Sequence, residues 1–177
     1  MLNLLKSPEM DIVSLSEVKA HLRLDHSEED DYLKALMAAA TNFVEQYLGR
    51  SLLSRTWQLR WDKPKDGPEI SQIPLPFPPF LEIISVNNLW PTKQPIKRYI
   101  VDECRSLPIL TCYVRSNAAE VIYRAGYGNY PKDIPASIQH AVLLAIADFY
   151  ENRVTTTIQS QTIFHSLLAP YRIVGMA

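Results

Sequence analysis

The chain has 177 residues, 47% of them hydrophobic and 21% charged, so it can bury a core as one soluble domain with at most a small appendage. Its 18 basic and 19 acidic side chains leave a formal net charge of −1, which gives no overall attraction to nucleic acid or to an anionic membrane. We find neither a signal-peptide pattern nor an apolar stretch near the roughly 20 residues that span a bilayer, so we expect a cytoplasmic protein.

Two helices are predicted in the first third of the chain. Ser14 is placed to cap a helix over about residues 15–23, and Glu17 at the third helical position completes a capping box. A second helix is predicted over about residues 28–48, because its first turn is acidic and Gly49 can end it in the left-handed conformation. Its apolar residues recur at spacings of three and four, at Leu33, Leu36, Met37, Ala40, Val44, Tyr47 and Leu48.

From Arg55 the period changes to that of β-strands. Large apolar and polar residues alternate over residues 56–61, and we predict a β region over about residues 55–125 with roughly five short strands. A proline-rich run over residues 74–79 has two interpretations. It is either a polyproline II ligand for an aromatic groove or, as we favour, a rigid connection into the next strand.

A third helix is predicted over about residues 135–153, with Pro135 at its first position. Its apolar face is broad, which is typical of a central helix, and we expect it to pair with the second helix. Residues 154–177 are predicted to form an extended C-terminal arm with a short apolar end. This end either folds back on its own domain or docks on a neighbouring chain.

Residues that carry chemistry are present, but no local pattern marks a nucleophile, a metal cluster or a phosphate loop. No histidine has a second histidine or a cysteine at ligand spacing, and the acidic run over residues 28–31 lacks the spaced ligands and glycine of a calcium loop. We therefore predict no catalytic residue, no metal and no cofactor. Cys104 and Cys112 lie eight positions apart; two reduced thiols are favoured over a disulfide, which stays open.

Arginines are spread among aromatic residues, with Arg50, Arg55, Arg60 and Arg124 near Trp57, Trp61 and Tyr123. This pattern fits a platform on which single-stranded nucleic acid stacks. The alternative, which we favour, is a set of strands that have one packed face and one solvated face.

An ordered series of motifs resembles the head–tail connector (adaptor) proteins of long-tailed bacteriophages. The resemblance begins with VSLSEVKAHLRLD over residues 13–25, which is followed by an acidic cluster, and continues to residue 172. The further motifs are FVEQYLGR (43–50), TWQLR (56–60), LPFPPFL (75–81), YRAGYG (123–128), IPASI (134–138), DFYENR (148–153) and LLAPYR (167–172).

The resemblance implies an α+β fold. We expect a helical bundle, made of two N-terminal helices and a long C-terminal helix, with an inserted small antiparallel β region and an extended C-terminal arm. Residues 1–153 would form a single connector domain, and residues 154–177 the arm.

The resemblance also implies a structural role and no enzymatic activity. Connectors of this family form a ring beneath the portal, extend the DNA channel and present a surface to the next head-completion or tail protein. The expected partners are therefore further copies of the chain, the portal protein and that head-completion or tail protein, with DNA only as channel contents and no membrane. The expected location is the portal vertex or neck of a virion, and the bacterial host cytoplasm during assembly.

The arm is the expected contact with the portal or with the adjacent subunit, through Leu167, Leu168, Tyr171 and Arg172. Two other functions stay open at this stage. One is a DNA-packaging accessory protein that binds nucleic acid directly, and the other is an enzyme with an unrecognised site in the β region.

Overall fold

The computed structural model describes residues 1–64, 70–89, 92–114, 118–152 and 161–173. The chain divides into two compact units, each built from two separate segments. Residues Met1–Pro8 and Leu53–Tyr127 form one, which we call the β unit; Glu9–Leu52 and Gly128–Ala177 form the other, which we call the helical unit.

The β unit contains two antiparallel sheets. Its strands are β1 (Leu2–Lys6), β2 (Arg55–Asp62), β3 (Ile70–Pro74), β4 (Phe80–Asn88), β5 (Gln94–Pro95), β6 (Tyr99–Asp102), β7 (Ile109–Tyr113) and β8 (Ala118–Ala125). The larger sheet has five strands in the order β1-β2-β8-β4-β5, and the smaller has three in the order β3-β7-β6.

A hydrophobic core forms from side chains of both sheets. Because side chains alternate between the faces of a strand, Val121, Tyr123 and Ala125 of β8 point into this core while the residues between them point away. The smaller sheet contributes Ile73 and Leu110, which are completely buried and lie opposite each other in the β3–β7 register. Burial raises the pKa of the Tyr123 phenol, whose hydroxyl donates a hydrogen bond of 2.8 Å to the Pro76 carbonyl.

The proline run between β3 and β4 is tied to the β unit at several points. The Leu75 amide donates to the Pro108 carbonyl at 2.9 Å, and the Gly126 amide donates to the Pro79 carbonyl at 2.8 Å. Phe77 has a positive φ of 57° and stacks on Trp57, with 4.8 Å between the ring centroids. The run is therefore a fixed connection, as the favoured interpretation requires, and not an exposed polyproline ligand.

The helical unit contains the α-helices among the described residues: α1 (Leu15–Leu22), α2 (Asp30–Leu48), α3 (Ala136–Glu151) and α4 (Gln161–Leu168). The predicted capping box of α1 and the predicted glycine end of α2 are confirmed, whereas neither Ser27 nor Asp25, the two caps predicted for the start of α2, is its N-cap. The Glu17 amide donates to Ser14 Oγ at 3.2 Å, and the Ser14 amide donates to Glu17 Oε2 at 2.7 Å. Gly49 follows α2 with a φ of 66°, in the left-handed region that glycine tolerates.

The core of the helical unit lies between α2 and α3, which pack against each other as predicted. Phe43 of α2 and Phe149 of α3 make an edge-on ring contact with centroids 5.8 Å apart. The completely buried side chains of these helices follow the predicted spacing and include Leu33, Val44, Leu48, Ile138, Val142 and Ile146.

The predicted fold class was wrong. The β region is not a small insertion into a helical bundle, because the described residues form eight strands in two sheets with a core of their own. Nor is there a long C-terminal helix: α3 has 16 residues, fewer than the 19 of α2, and α4 has 8. Part of the predicted arm, residues 161–173, is α4 followed by a 3-10 turn, and the predicted helix end at residue 153 lies outside the described residues.

No helix of the described residues is long and apolar enough to cross a bilayer.

Candidate interaction surfaces

The described residues contain no group of three or more histidine, cysteine, aspartate or glutamate side chains placed to hold a metal ion. Cys104 and Cys112 are both free thiols. Cys104 is exposed, whereas Cys112 is buried on β7, and this burial raises the pKa of the Cys112 thiol to about 11. A thiol with that pKa is almost wholly protonated at neutral pH and is a poor nucleophile.

The C-terminal segment, residues 161–173, packs on the helical unit. Phe164 is only 1% exposed, and its ring lies 5.7 Å from that of Phe43 and 5.6 Å from that of Tyr47. Leu168 is completely buried and Ile173 is nearly so. The apolar end of the predicted arm therefore folds back on its own unit.

Polar contacts fix the same segment along α2. The Ile173 amide donates to the Leu48 carbonyl at 3.0 Å, which satisfies an acceptor at the end of α2. Arg50 Nε donates to the Tyr171 carbonyl, and Ser137 Oγ donates to the Tyr171 hydroxyl at 3.1 Å. The Arg172 guanidinium lies 4.8 Å from the centroid of a tyrosine ring on α2, in cation–π geometry.

The four predicted interface residues differ in their accessibility. Leu168 is buried in its own unit, Leu167 and Tyr171 are half-buried, and Arg172 is exposed. The structure brings them together on one segment. A contact with a second molecule through them stays a prediction, and such a molecule reaches Leu168 only if the segment moves.

The outer face of the five-stranded sheet carries paired charges. Arg124 Nη1 lies 2.6 Å from Glu82 Oε1, and Arg60 Nε lies 3.3 Å from Asp62 Oδ1. Glu120 accepts from Lys93 and from Gln58. The hydrogen bond from Lys93 holds the pKa of the Glu120 carboxyl below its ordinary value.

The alternation of arginine and aromatic residues is explained by the two faces of this sheet. Trp57 and Trp61 pack against the core, and Tyr123 is part of it. Arg60 and Arg124 occupy alternate positions that point away from the core and are paired with carboxylates. The aromatic rings are therefore not available as a stacking platform for nucleic acid.

The outer face of the three-stranded sheet is apolar and exposed. Ile70 and Tyr113 lie opposite each other in the β3–β7 register, and Ile100 lies opposite Thr111 in the β6–β7 register. Since cross-strand partners share a face, these side chains form one surface, on which Ile70 is 63%, Ile100 73% and Tyr113 41% exposed. Sequence reasoning missed this surface because it could not place the three strands beside one another.

The net charge of −1 conceals a strong segregation between the two units. The β unit has eleven basic and seven acidic residues, a net charge of +4, and the helical unit has seven basic and twelve acidic residues, a net charge of −5. The whole-chain balance hid this difference. A count by segment would have found it once the segments were known.

Comparison with known proteins bears out the family resemblance. Residues 12–86 match the model of a family described as phage gp6-like head-tail connector protein. A search of curated proteins gave no significant match.

Solved structures share the fold over the whole chain. A chain of a structure described as "Virion of native gene transfer agent (GTA) particle" superposes with a TM-score of 0.81 at 20% identity, covering 100% of this chain and 97% of that one. Chains of "Neck of empty GTA particle computed with C6 symmetry" and "Neck of native GTA particle computed with C12 symmetry" give TM-scores of 0.78 and 0.72, with the same identity and coverage.

Proposed function

Because residues 12–86 carry the sequence pattern of the phage gp6-like head–tail connector family, we propose that this protein is a structural component of the neck that joins a phage-type head to its tail. It acts through its surfaces and not as an enzyme. The observation that carries the proposal is the family match, and the fold shared with a virion chain over the full length supports it.

The finer proposal is that copies of the chain form a ring at the portal vertex and extend the DNA channel. Two of the structures with the same fold are necks computed with C6 and C12 symmetry, which is the arrangement that a ring of connectors requires. The paired charges on the outer face of the five-stranded sheet suit a wall past which DNA slides, because they leave few free cations to hold phosphates.

The proposed partners are the portal protein, a head-completion or tail protein and further copies of this chain, with DNA only as channel contents. The proposed location is the neck of the particle, after assembly in the bacterial host cytoplasm. Contact with the portal or the adjacent subunit is assigned to the C-terminal segment, through the accessible parts of Leu167, Tyr171 and Arg172. Leu168 is completely buried and anchors this segment to the helical unit.

A binding experiment with the portal ring of the same genome tests this assignment. We expect the double variant Leu167→Ser, Arg172→Ser to lose at least about tenfold in affinity for the ring, since truncating one of the few residues that dominate an interface costs about 2 kcal/mol or more. Ile163→Ser is the matched control, because Ile163 is 61% exposed on the same helix and lies outside the predicted contact. Equal losses for both variants would contradict the assignment.

The alternative is a DNA-packaging accessory protein that binds nucleic acid directly. The observation in its favour is the net charge of +4 on the β unit. A gel shift whose affinity falls steeply between low and physiological salt would support this alternative, and no shift at physiological salt would exclude it.

A further inference from the structure

We infer that neighbouring copies in the ring meet through surfaces of opposite charge, one on the β unit and one on the helical unit. The first, which we call the basic patch, consists of Ile70, Lys97, Arg98, Ile100 and Tyr113. The second, which we call the acidic end, consists of Asp25, Glu28, Asp31, Tyr32 and Glu151. This inference rests on the proposed ring and names the surfaces that close it.

The apolar part of the basic patch is the outer face of the three-stranded sheet. Ile70, Ile100 and Tyr113 lie on one face of three adjacent strands; the two isoleucines are largely exposed and Tyr113 is partly exposed. Single exposed apolar side chains are ordinary on protein surfaces, but three on one small sheet face form a contiguous patch that is typical of an interface. The outer face of the five-stranded sheet, in the same unit, carries ion pairs instead. One outer face of the unit is therefore apolar and the other is charged.

The charged part of the basic patch lies directly before β6. Lys97 and Arg98 are exposed, and neither forms an ion pair with any residue that the structure describes. They immediately precede Tyr99 and Ile100 in the chain, so free positive charge borders the apolar face. The β unit as a whole has a net positive charge, so its other residues do not cancel the charge of Lys97 and Arg98.

The acidic end is where α2 begins and α3 ends. Two contacts of Tyr150 bring these ends together: its hydroxyl donates to Glu29 just before α2, and its ring lies 6.3 Å from that of Tyr32. Asp25 and Glu28 are exposed and form no ion pair within the described part of the chain. Tyr32, 36% exposed, adds an apolar contact surface among these carboxylates.

Charge complementarity indicates that each surface binds a second copy of this chain. A ring is built from heterologous contacts, in which one surface of each copy meets a different surface of the next. A chain with a +4 unit and a −5 unit supplies both members of such a contact, and each copy then uses each surface once. DNA would engage the basic patch but would be repelled by the acidic end.

Charge reversal on each side, separately and together, tests this inference. The basic-patch variant is Lys97→Glu with Arg98→Glu, and the acidic-end variant is Asp25→Lys with Glu28→Lys. The control, Lys6→Glu with Arg60→Glu, makes the same charge change on the five-stranded sheet of the same unit. All six side chains are exposed, and thermal melts by circular dichroism verify that each variant is folded.

Assembly of each variant on the portal ring of the same genome is measured by light scattering. We expect the basic-patch and acidic-end variants each to assemble roughly tenfold or more weakly than wild type, because like charges then face each other across the contact. We expect the combined variant with all four reversals to recover most of the loss, and the control to assemble like wild type.

A combined variant that assembles no better than the two double variants would overturn the inference, as would double variants that assemble like wild type. If the basic-patch variant only weakens a DNA gel shift, the patch binds DNA and the inference again fails while the ring stands. If the wild-type protein itself does not assemble on the portal, the proposed function fails, and the inference fails with it.

Discussion

At the scale of single residues, Gly126 shows how closely the backbone approaches itself in the β unit. It follows β8 with a φ of +138°, a conformation that side chains rarely adopt. A Cβ at this position would lie 2.5 Å from the Leu53 carbonyl oxygen, which is far inside contact distance. Both the dihedral angle and the space therefore require glycine.

We predict that Gly126→Ala lowers the free energy of unfolding by about 2–4 kcal/mol, since the new methyl group must displace backbone and not a mobile side chain. Denaturant titration followed by tryptophan fluorescence measures this change. A loss below about 0.5 kcal/mol, the range of an ordinary surface substitution, would contradict the close approach.

The capping box of α1 makes a pH-dependent contribution to stability. The hydrogen bond from the Ser14 hydroxyl lowers the pKa of the Glu17 carboxyl below its ordinary value of 4.5. The folded state therefore binds this proton less readily than the unfolded chain does. The stabilisation is fully present above about pH 4.5 and is lost as the pH falls through the lower folded pKa.

We predict that Glu17→Gln costs roughly 0.3–1 kcal/mol at pH 7, the usual effect of a carboxylate in a helix first turn, because glutamine keeps the shape but not the charge. The difference from wild type should shrink toward zero once the pH has fallen below the lowered folded pKa of Glu17, where this side chain is itself neutral. Unfolding measured at pH 7 and through this acid range checks the prediction. A constant difference across that range would show that the charge contributes nothing.

These residues also show what local rules can predict. The roles of Ser14, Glu17 and Gly49 follow from residues within one helical turn and were predicted from sequence. The role of Gly126 depends on a carbonyl more than seventy positions away, and no local pattern could indicate it.

At the scale of elements, strand exposure explains why the fold class was predicted incorrectly. β2 and β8 lie inside a sheet and were predicted close to their observed positions. β1 is an edge strand exposed along nearly its whole length, and β5 has only two residues. These two strands bury little, so they lack the alternation from which strands are predicted, and the β region was judged too small. β3 was also missed, although its burial alternates.

The C-terminal segment is an element whose docking rests on few side chains. We predict that Phe164→Ala releases residues 161–173 from the helical unit while α2 and α3 stay folded, because a cavity at this site costs about 3–5 kcal/mol. Hydrogen exchange measures this release, because the amides of α4 should exchange much faster in the variant than in the wild type.

Ile163→Ala is the matched control, since it removes a large side chain from the adjacent but exposed position on α4. It should leave the exchange of α4 nearly unchanged. Similar acceleration in both variants, or none in Phe164→Ala, would show that Phe164 is not the anchor.

At the scale of the whole molecule, the chain combines a fold shared with a virion protein with an uneven distribution of charge between its two units. Short motifs in a fixed order indicated the resemblance to head–tail connectors, and residues 12–86 match the model of that family. The candidate surfaces could not be predicted, since they depend on which strands and helix ends come together. The helical unit, for example, collects its acidic end from residues 25–32 and 151, which only the packing of α2 on α3 unites.

The central claim is that this chain assembles on a portal, and its most direct test is the mass of the protein with and without the portal ring of the same genome. Light scattering after size-exclusion chromatography gives both masses. We predict a single high-mass complex in which the mass added to the portal is a whole multiple of 20.2 kDa, even if the free chain is a monomer. A chain that elutes as a monomer whether or not the portal is present would contradict the claim.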